Sequence, residues 1–115
     1  MSAVTDMNYM FFGASAFNKD LSKWDVSAVT SMRLMFAYAS AFNQDMSMWD
    51  VSAVTEMNNM FDGAKAFKRE LCGAAWLNSK ADKTEMFKDS PGSISSTVCK
   101  KARTGYCKGV RYGQG

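Results

Sequence analysis

The chain has 115 residues, of which 47% are hydrophobic and 22% charged, so we expect one small folded domain rather than a disordered chain. It contains no His, the most common general base and zinc ligand, so we predict that it is not an enzyme and has no cofactor or metal site. The net charge is +3, and no apolar run reaches the roughly 18 residues of a membrane span.

The sequence repeats with a period of 25 residues. Residues 4–28 and 29–53 are identical at 17 of 25 positions, and a third copy continues to Leu71. We call each set of equivalent positions a column; the main columns are Val4/Val29/Val54, Met7/Met32/Met57, Met10/Met35/Met60, Phe11/Phe36/Phe61, Ala14/Ala39/Ala64 and Phe17/Phe42/Phe67. A fixed period of this length is typical of a solenoid, in which each copy is one coil.

The spacing of apolar residues at the start of each copy predicts a short helix. Apolar positions recur every three or four residues, so we expect helices at about Thr5–Ala14, Thr30–Ala39 and Thr55–Ala64, each with its threonine as the N-cap. A short parallel strand is predicted near Asp20–Trp24 and at the equivalent positions. The expected fold class is therefore α/β, a short solenoid of about three 25-residue coils.

We predict three regions along the chain. Residues 1–71 form the three-copy array, residues 72–99 a degenerate fourth repeat and C-terminal cap, and residues 100–115 a basic tail. In the second region, Trp76 and Met86-Phe87 correspond to the Trp and Met-Phe positions of the earlier copies. A cap is expected because the last coil of a solenoid would otherwise expose the core.

The repeat resembles that of the BspA-like leucine-rich-repeat surface proteins, which also occurs in mycoplasma-type lipoproteins. The match covers about residues 2–71, and in the second copy it is carried by Val29-Thr30, Met32, Met35-Phe36, Ala39, Phe42-Asn43, Asp45 and Trp49-Asp50-Val51-Ser52, with Met46 in place of the usual Leu. The resemblance implies a right-handed leucine-rich-repeat-like solenoid outside the cell, used for adhesion or partner binding. It implies no catalytic residues.

Two functions follow as hypotheses. The first is a non-catalytic repeat scaffold that binds another protein or a surface polymer. Large side chains at positions that differ between copies are its candidate contacts: Tyr9, Phe12, Leu34 and Tyr38. The second is a small structural subunit of a larger assembly, because the first coil has no neighbour or obvious cap in this sequence.

Several columns have both a structural and a functional interpretation. The Met columns are expected to fill the interior rather than bind a soft metal. The acidic columns Asp20/Asp45/Glu70 and Asp25/Asp50 are expected to cap turn amides rather than bind calcium. Asn18 and Asn43 are expected to form an inward asparagine ladder that Lys68 interrupts, and Trp24, Trp49 and Trp76 to pack against the Phe columns more than they are exposed to partners.

The three cysteines, Cys72, Cys99 and Cys107, all follow the regular repeats. A Cys72–Cys99 disulfide would close a loop of about 28 residues and stabilise the cap by roughly 2–4 kcal/mol. Cys99–Cys107 and Cys72–Cys107 are the alternative pairings, and a reduced intracellular form is the other possibility. The favoured location is secreted or cell-surface, or else an oxidising organelle lumen, although residues 1–5 do not have the pattern of a signal peptide.

The positive charge of the chain is concentrated in its tail. Residues 1–98 have nine basic and eleven acidic residues, whereas residues 99–115 have five basic residues and no acidic one: Lys100, Lys101, Arg103, Lys108 and Arg111. The tail is short and the rest of the chain is acidic, so we expect no nucleic-acid binding. We predict instead a peripheral contact with a negatively charged partner, a large complex or a membrane surface.

Overall fold

A computed structural model describes residues 4–99, in which regular secondary structure is sparse. Strand β1 is Glu70–Leu71, helix α1 is Ala74–Leu77 and strand β2 is Ser93–Ile94. The two strands pair in parallel, with Leu71 opposite Ile94. The remaining described segments are turns and extended chain. The fold therefore depends on contacts between the repeat copies rather than on long helices or sheets.

Successive copies lie next to each other in register. Parallel bridges join equivalent residues in turn: Asp6 to Ser31, Ser31 to Glu56, and Glu56 to Asp82. The last of these bridges shows that a fourth segment, around residues 82–94, continues the series after the third copy. The backbone N–H of Thr30 also donates to the carbonyl of Thr5, and that of Thr55 to the carbonyl of Thr30, at 2.7 and 2.8 Å.

The start of each copy uses its backbone N–H groups in two alternating directions. In the second copy, every other N–H donates to a carbonyl of the third copy at 2.7 to 3.2 Å; the pairs are Met32 to Glu56, Leu34 to Asn58, Phe36 to Met60 and Tyr38 to Asp62. The N–H groups of Met35, Ala37 and Ala39 donate to carbonyls three residues back in the same copy, those of Met32, Leu34 and Phe36. The N–H of Arg33 donates instead to the side-chain oxygen of Asn8 in the first copy, at 2.7 Å. This ribbon is neither an α-helix nor a sheet strand.

The helices predicted at Thr5–Ala14, Thr30–Ala39 and Thr55–Ala64 are therefore wrong. Two columns in these segments have positive φ, which interrupts a helix: Tyr9, Leu34, Asn59 and Glu85 in one, and Gly13, Tyr38, Gly63 and Asp89 in the other. The threonines are not N-caps either. The hydroxyls of Thr30 and Thr55 donate to the carbonyl of the preceding threonine in the column at 3.1 and 3.2 Å.

The strand predicted near Asp20–Trp24 is also wrong in the first two copies. There the carboxylates of Asp20 and Asp45 accept the backbone N–H two residues later, at 2.8 and 2.9 Å, and this bond bends the chain into a turn. In the third copy Glu70 takes the place of the aspartate, and only there does the segment form a strand, β1. The parallel bridges between the first three copies lie instead in the Asp6/Ser31/Glu56/Asp82 column.

Two stacks of phenylalanine rings run through the core. Phe11, Phe36, Phe61 and Phe87 follow one another with ring centroids 5.3 to 5.4 Å apart and nearly parallel planes. Phe17, Phe42 and Phe67 form the second stack at 5.8 and 6.0 Å. In the second and third copies the Met columns fill the space beside them as predicted, since Met32, Met35, Met57 and Met60 are all fully buried, whereas Met10 of the first copy is exposed. Because of the 25-residue period, equivalent apolar side chains of successive copies thus stack on one another.

Two of the three tryptophans connect neighbouring copies. Trp49 and Trp76 are buried, and their indole N–H groups donate to the carbonyls of Leu21 and Met46 at 2.9 and 2.8 Å. The prediction that the tryptophans are mostly buried is confirmed for these two. Trp24, in the first copy, is 38% exposed.

The expectation of a right-handed leucine-rich-repeat-like solenoid stays a prediction, because the structure shows the stacking of the copies but little of the regular secondary structure expected. None of the helical residues in the described part of the chain, residues 4–99, forms a helix with the length and hydrophobicity of a membrane span. The predicted basic tail, residues 100–115, lies outside the described residues.

The two left-handed glycines give a direct stability prediction. A Cβ on Gly63 would lie 2.5 Å from Cδ1 of Tyr38, whereas one on Gly13 would meet nothing within 4 Å, although φ is +75° and +71° respectively. We expect Gly63→Ala to lower the free energy of unfolding by about 1–3 kcal/mol more in the natural chain than in a Tyr38→Gly chain. Urea denaturation of the four variants measures this coupling.

Gly13→Ala is the control, because it has the same backbone strain without the ring contact. The decrease in the free energy of unfolding caused by Gly13→Ala should be the same in the natural chain and in the Tyr38→Gly chain. A Gly63→Ala cost that is the same with and without Tyr38 would contradict the close packing of this ring on the third copy.

Candidate functional site

Three of the four predicted contact residues lie together on the surface. Tyr9, Phe12 and Tyr38 are each about half exposed. The ring of Phe12 makes edge-to-face contacts with Tyr9, at a centroid distance of 5.4 Å, and with Tyr38, at 5.6 Å. We call these three residues the aromatic patch. It spans the first two copies and presents apolar ring surface together with two phenolic hydroxyls.

The repeat backbone holds the aromatic patch in place. Tyr9 and Tyr38 both have left-handed backbone conformations, with φ of 64° and 60°. Their N–H groups donate to carbonyls of the next copy, those of Arg33 and Asp62, at 3.0 and 2.7 Å. The Tyr38 ring also lies against Gly63 of the third copy. The backbone that carries these two tyrosine rings is therefore held in place by hydrogen bonds to the next copy.

Leu34, the fourth predicted contact residue, occupies the same left-handed column as Tyr9 but is only partly exposed. The edge-to-face contacts join only the three rings. Nearby, Arg33 and Glu56 form an exposed ion pair at 3.8 Å. Such an exposed pair adds little stability.

The first copy leaves exposed what the other copies bury. Met10 is 44% exposed whereas Met35 is fully buried, and Val4 and Trp24 are exposed whereas Val29 and Trp49 are buried. We call this face of the first copy the first-copy edge. It is a second candidate surface for contact, with a composition like that of the core.

The four aspartates of the two acidic columns cap turns as predicted, whereas Glu70 lies in β1 and caps none within the described residues; Asp6 and Asp82 cap turns in addition. Carboxylate oxygens of Asp6, Asp20, Asp25, Asp45, Asp50 and Asp82 each accept the backbone N–H two residues later at 2.8 to 3.1 Å. The N–H of Ser22 lowers the pKa of Asp20, and the hydroxyl of Thr84 lowers that of Asp82. Among residues 4–99, no three His, Cys, Asp or Glu side chains converge as a metal site would require.

The asparagine column joins copies at the surface. The side-chain oxygen of Asn18 accepts the N–H of Asn43 at 2.8 Å, and that of Asn43 accepts the N–H of Lys68 at 2.9 Å. The ladder and its end at Lys68 agree with the sequence-based expectation. Its predicted inward direction is wrong, because Asn18 is exposed and Asn43 only partly buried.

The structure has a disulfide between Cys72 and Cys99. This is one of the three pairings that the sequence leaves open. The N–H of Cys99 also donates to the carbonyl of Cys72 at 3.0 Å, so the chain after the fourth segment is attached twice to the residue that follows β1. Cys107 lies outside the described residues, as do the predicted tail contacts Lys100, Lys101, Arg103, Lys108 and Arg111.

Sequence reasoning missed the role of Lys83. It takes the place of Met7, Met32 and Met57 in the fourth segment, and its ammonium group donates to the carbonyls of Ser79 and Ala81 at 2.8 and 3.3 Å. Partial burial lowers its pKa. The sequence does indicate this position. When the fourth segment is aligned with the third copy at a spacing of 26 residues instead of 25, Lys83 falls in the Met7/Met32/Met57 column.

Comparison with known proteins identifies one family. Residues 1–98 match a family described as a Mycoplasma protein of unknown function, DUF285. No curated protein and no solved structure matches the chain.

The disulfide gives a second stability prediction. Replacing Cys72 and Cys99 together by serine should lower the free energy of unfolding by about 2–4 kcal/mol, because the bond closes a long loop in the unfolded chain. Thermal and urea denaturation under non-oxidising conditions measure the loss. Cys107→Ser is the matched control and should leave the stability unchanged; an equal loss in this control would contradict the Cys72–Cys99 pairing.

Proposed function

The chain belongs to the family described as a Mycoplasma protein of unknown function, DUF285, and we propose that it is a non-catalytic repeat scaffold that binds another protein or a surface polymer. The observation that carries the proposal is the aromatic patch, in which Tyr9, Phe12 and Tyr38 are half exposed yet contact one another. Contiguous exposed aromatic side chains are typical of binding surfaces.

The proposal includes the fold class. We infer that the stacked copies are the coils of a short right-handed solenoid of the BspA-like leucine-rich-repeat type. What supports this is the register between copies, in which bridges and phenylalanine stacks connect equivalent residues. A scaffold of this kind varies its surface residues while its core columns stay the same. In the Phe12 column, the second and third copies have Ala37 and Asp62.

The proposed location is the cell surface or the secreted medium, with an oxidising organelle lumen as the alternative. The Cys72–Cys99 disulfide supports it, because disulfides persist in oxidising compartments. The partner would then be another surface protein or a polysaccharide. Ring faces and phenolic hydroxyls suit both classes of ligand.

A second function, as a structural subunit of a larger assembly, is favoured by the first-copy edge. Val4, Met10 and Trp24 are exposed there, whereas their counterparts in the second copy are buried. A subunit of this kind would dock through this edge, with the basic tail as a peripheral contact.

Replacing the aromatic patch with residues from the same columns tests the scaffold function. In Tyr9→Asn, Phe12→Ala and Tyr38→Gly, each new residue is already used by another copy, at Asn59, Ala37 and Gly63. The fold is therefore expected to remain. Proteins and glycans captured from the native source by the natural chain should be retained at least about tenfold less by the triple variant, measured by quantitative mass spectrometry.

Ser15→Lys is the matched control for this experiment. It changes an exposed position of the first copy whose third-copy counterpart is Lys65, and it leaves the patch intact. Capture by this control should equal that of the natural chain. If the triple variant captures the same molecules as strongly as the natural chain does, the aromatic patch is not the binding surface.

A further inference from the structure

The two ends of the stack of copies have complementary hydrogen-bonding groups. Between each pair of neighbouring copies, four alternating N–H groups of one segment donate to four alternating carbonyls of the next. In the first copy, the corresponding carbonyls accept no hydrogen bond within residues 4–99; they belong to Asp6, Asn8, Met10 and Phe12. In the fourth segment, the corresponding N–H groups donate none within the same range; they belong to Lys83, Glu85, Phe87 and Asp89.

We propose that a second copy of this chain occupies the first-copy edge, so that molecules associate head to tail. The N–H groups of Lys83, Glu85, Phe87 and Asp89 in one molecule donate to the carbonyls of Asp6, Asn8, Met10 and Phe12 in the next. This interface continues the one that already joins the copies three times within a single chain.

The backbone shape of the donor segment supports this occupant over an ordinary β-strand. Within the chain, each segment that donates the four bonds has left-handed residues at two fixed positions, for example Tyr9 and Gly13 with φ of 64° and 71°. The fourth segment has the same shape, with φ of 54° at Glu85 and 57° at Asp89. An extended strand lacks these two left-handed residues, so its N–H groups would not follow the same path.

The side chains at the two ends also match. Phe11 and Phe87 end the first phenylalanine stack, and both are only partly buried, so stacking Phe87 of one molecule on Phe11 of the next continues the series. The indole of Trp24 has no hydrogen bond within residues 4–99, whereas Trp49 donates to the carbonyl of Leu21 in the preceding copy. The equivalent carbonyl for Trp24 is that of Ile94, which pairs with Leu71 of the same column.

The polarity of the edges fixes the direction and the extent of assembly. Two first-copy edges cannot reproduce the backbone pairing that joins the copies, because the four unpaired backbone groups of each such edge are all carbonyls. Each head-to-tail contact leaves one edge of each kind free for a further molecule, so the assembly grows beyond a dimer. The contact places Asp82 beside Asp6, an acidic pair like that of Glu56 and Asp82, which are already bridge partners within the chain.

Sedimentation of the full chain tests the proposal. The Cys107→Ser background is used so that no covalent dimer forms through that thiol. We expect reversible, concentration-dependent species larger than a dimer. Met10→Lys puts a charge at the centre of the contact and should weaken association at least about tenfold. Ser40→Lys, an exposed position whose third-copy counterpart is Lys65, is the control and should associate like the natural chain.

Cross-linking tests the direction of the contact. The substitutions Asp6→Cys and Asp82→Cys are in the column that contains Ser31 in the second copy. Because this column already accepts the short side chain of serine, both variants are expected to fold, and circular dichroism checks that they do. Oxidation of a mixture of the two variants should join their introduced cysteines in disulfides between molecules, because bridge partners are about 5 Å apart. Neither variant alone should form a cross-link at this position.

Three results would overturn the proposal: a monomer at about 1 mM, association that Met10→Lys does not weaken, or cross-linking of Asp6→Cys with itself. The proposal concerns the first-copy edge and not the binding of a ligand to the aromatic patch. It is distinguishable from the proposed function, because the Tyr9, Phe12 and Tyr38 variant changes side chains and keeps the backbone carbonyls of the edge, so this variant should lose ligand capture and still self-associate.

Discussion

The alternation of backbone hydrogen bonds at the start of each copy is the constraint on which the rest of the structure depends. One set of N–H groups closes turns within a copy, and the set between them reaches the next copy. Each set satisfies groups that would be costly to bury unpaired. Because both sets recur in each copy, the copies stack only in one register, and that register aligns the Phe, Met and Trp columns.

The same constraint explains where the chain is strained and where it is open. Left-handed backbone at residues such as Leu34 and Tyr38 costs about 1 kcal/mol or more for each side chain. Bonds to the next copy and burial of the Met and Phe columns offset that cost in the middle of the stack. The first copy lacks a preceding partner within residues 4–99, so Met10 and Trp24 remain exposed. The candidate contact surfaces thus arise from the end of the stack and from the left-handed positions.

The sequence predicts the register well and the local conformation poorly. The 25-residue period identifies which side chains are equivalent, and the buried Met and Phe columns agree with it. The helices were wrong because buried positions three or four residues apart suit both a helix and this turned ribbon. Gly13 and Gly63 give a signal for left-handed backbone, but Tyr9, Leu34 and Tyr38 give none, since such residues rarely adopt it. The contacts among Tyr9, Phe12 and Tyr38 depend on this left-handed backbone. The differences between copies at these positions therefore predict that the side chains are exposed, but not that their rings lie together.

Hydrogen-bond scalar couplings measured by NMR test the central claim most directly. The account predicts a coupling between the amide nitrogen of Phe36 and the carbonyl carbon of Met60, whose oxygen lies 2.8 Å from that nitrogen, while the amide of Ala37 couples to the carbonyl of Leu34 in its own copy. A coupling from the Phe36 amide to the carbonyl of Met32 would instead indicate an α-helix. That result would contradict the alternating pattern and the register of the copies.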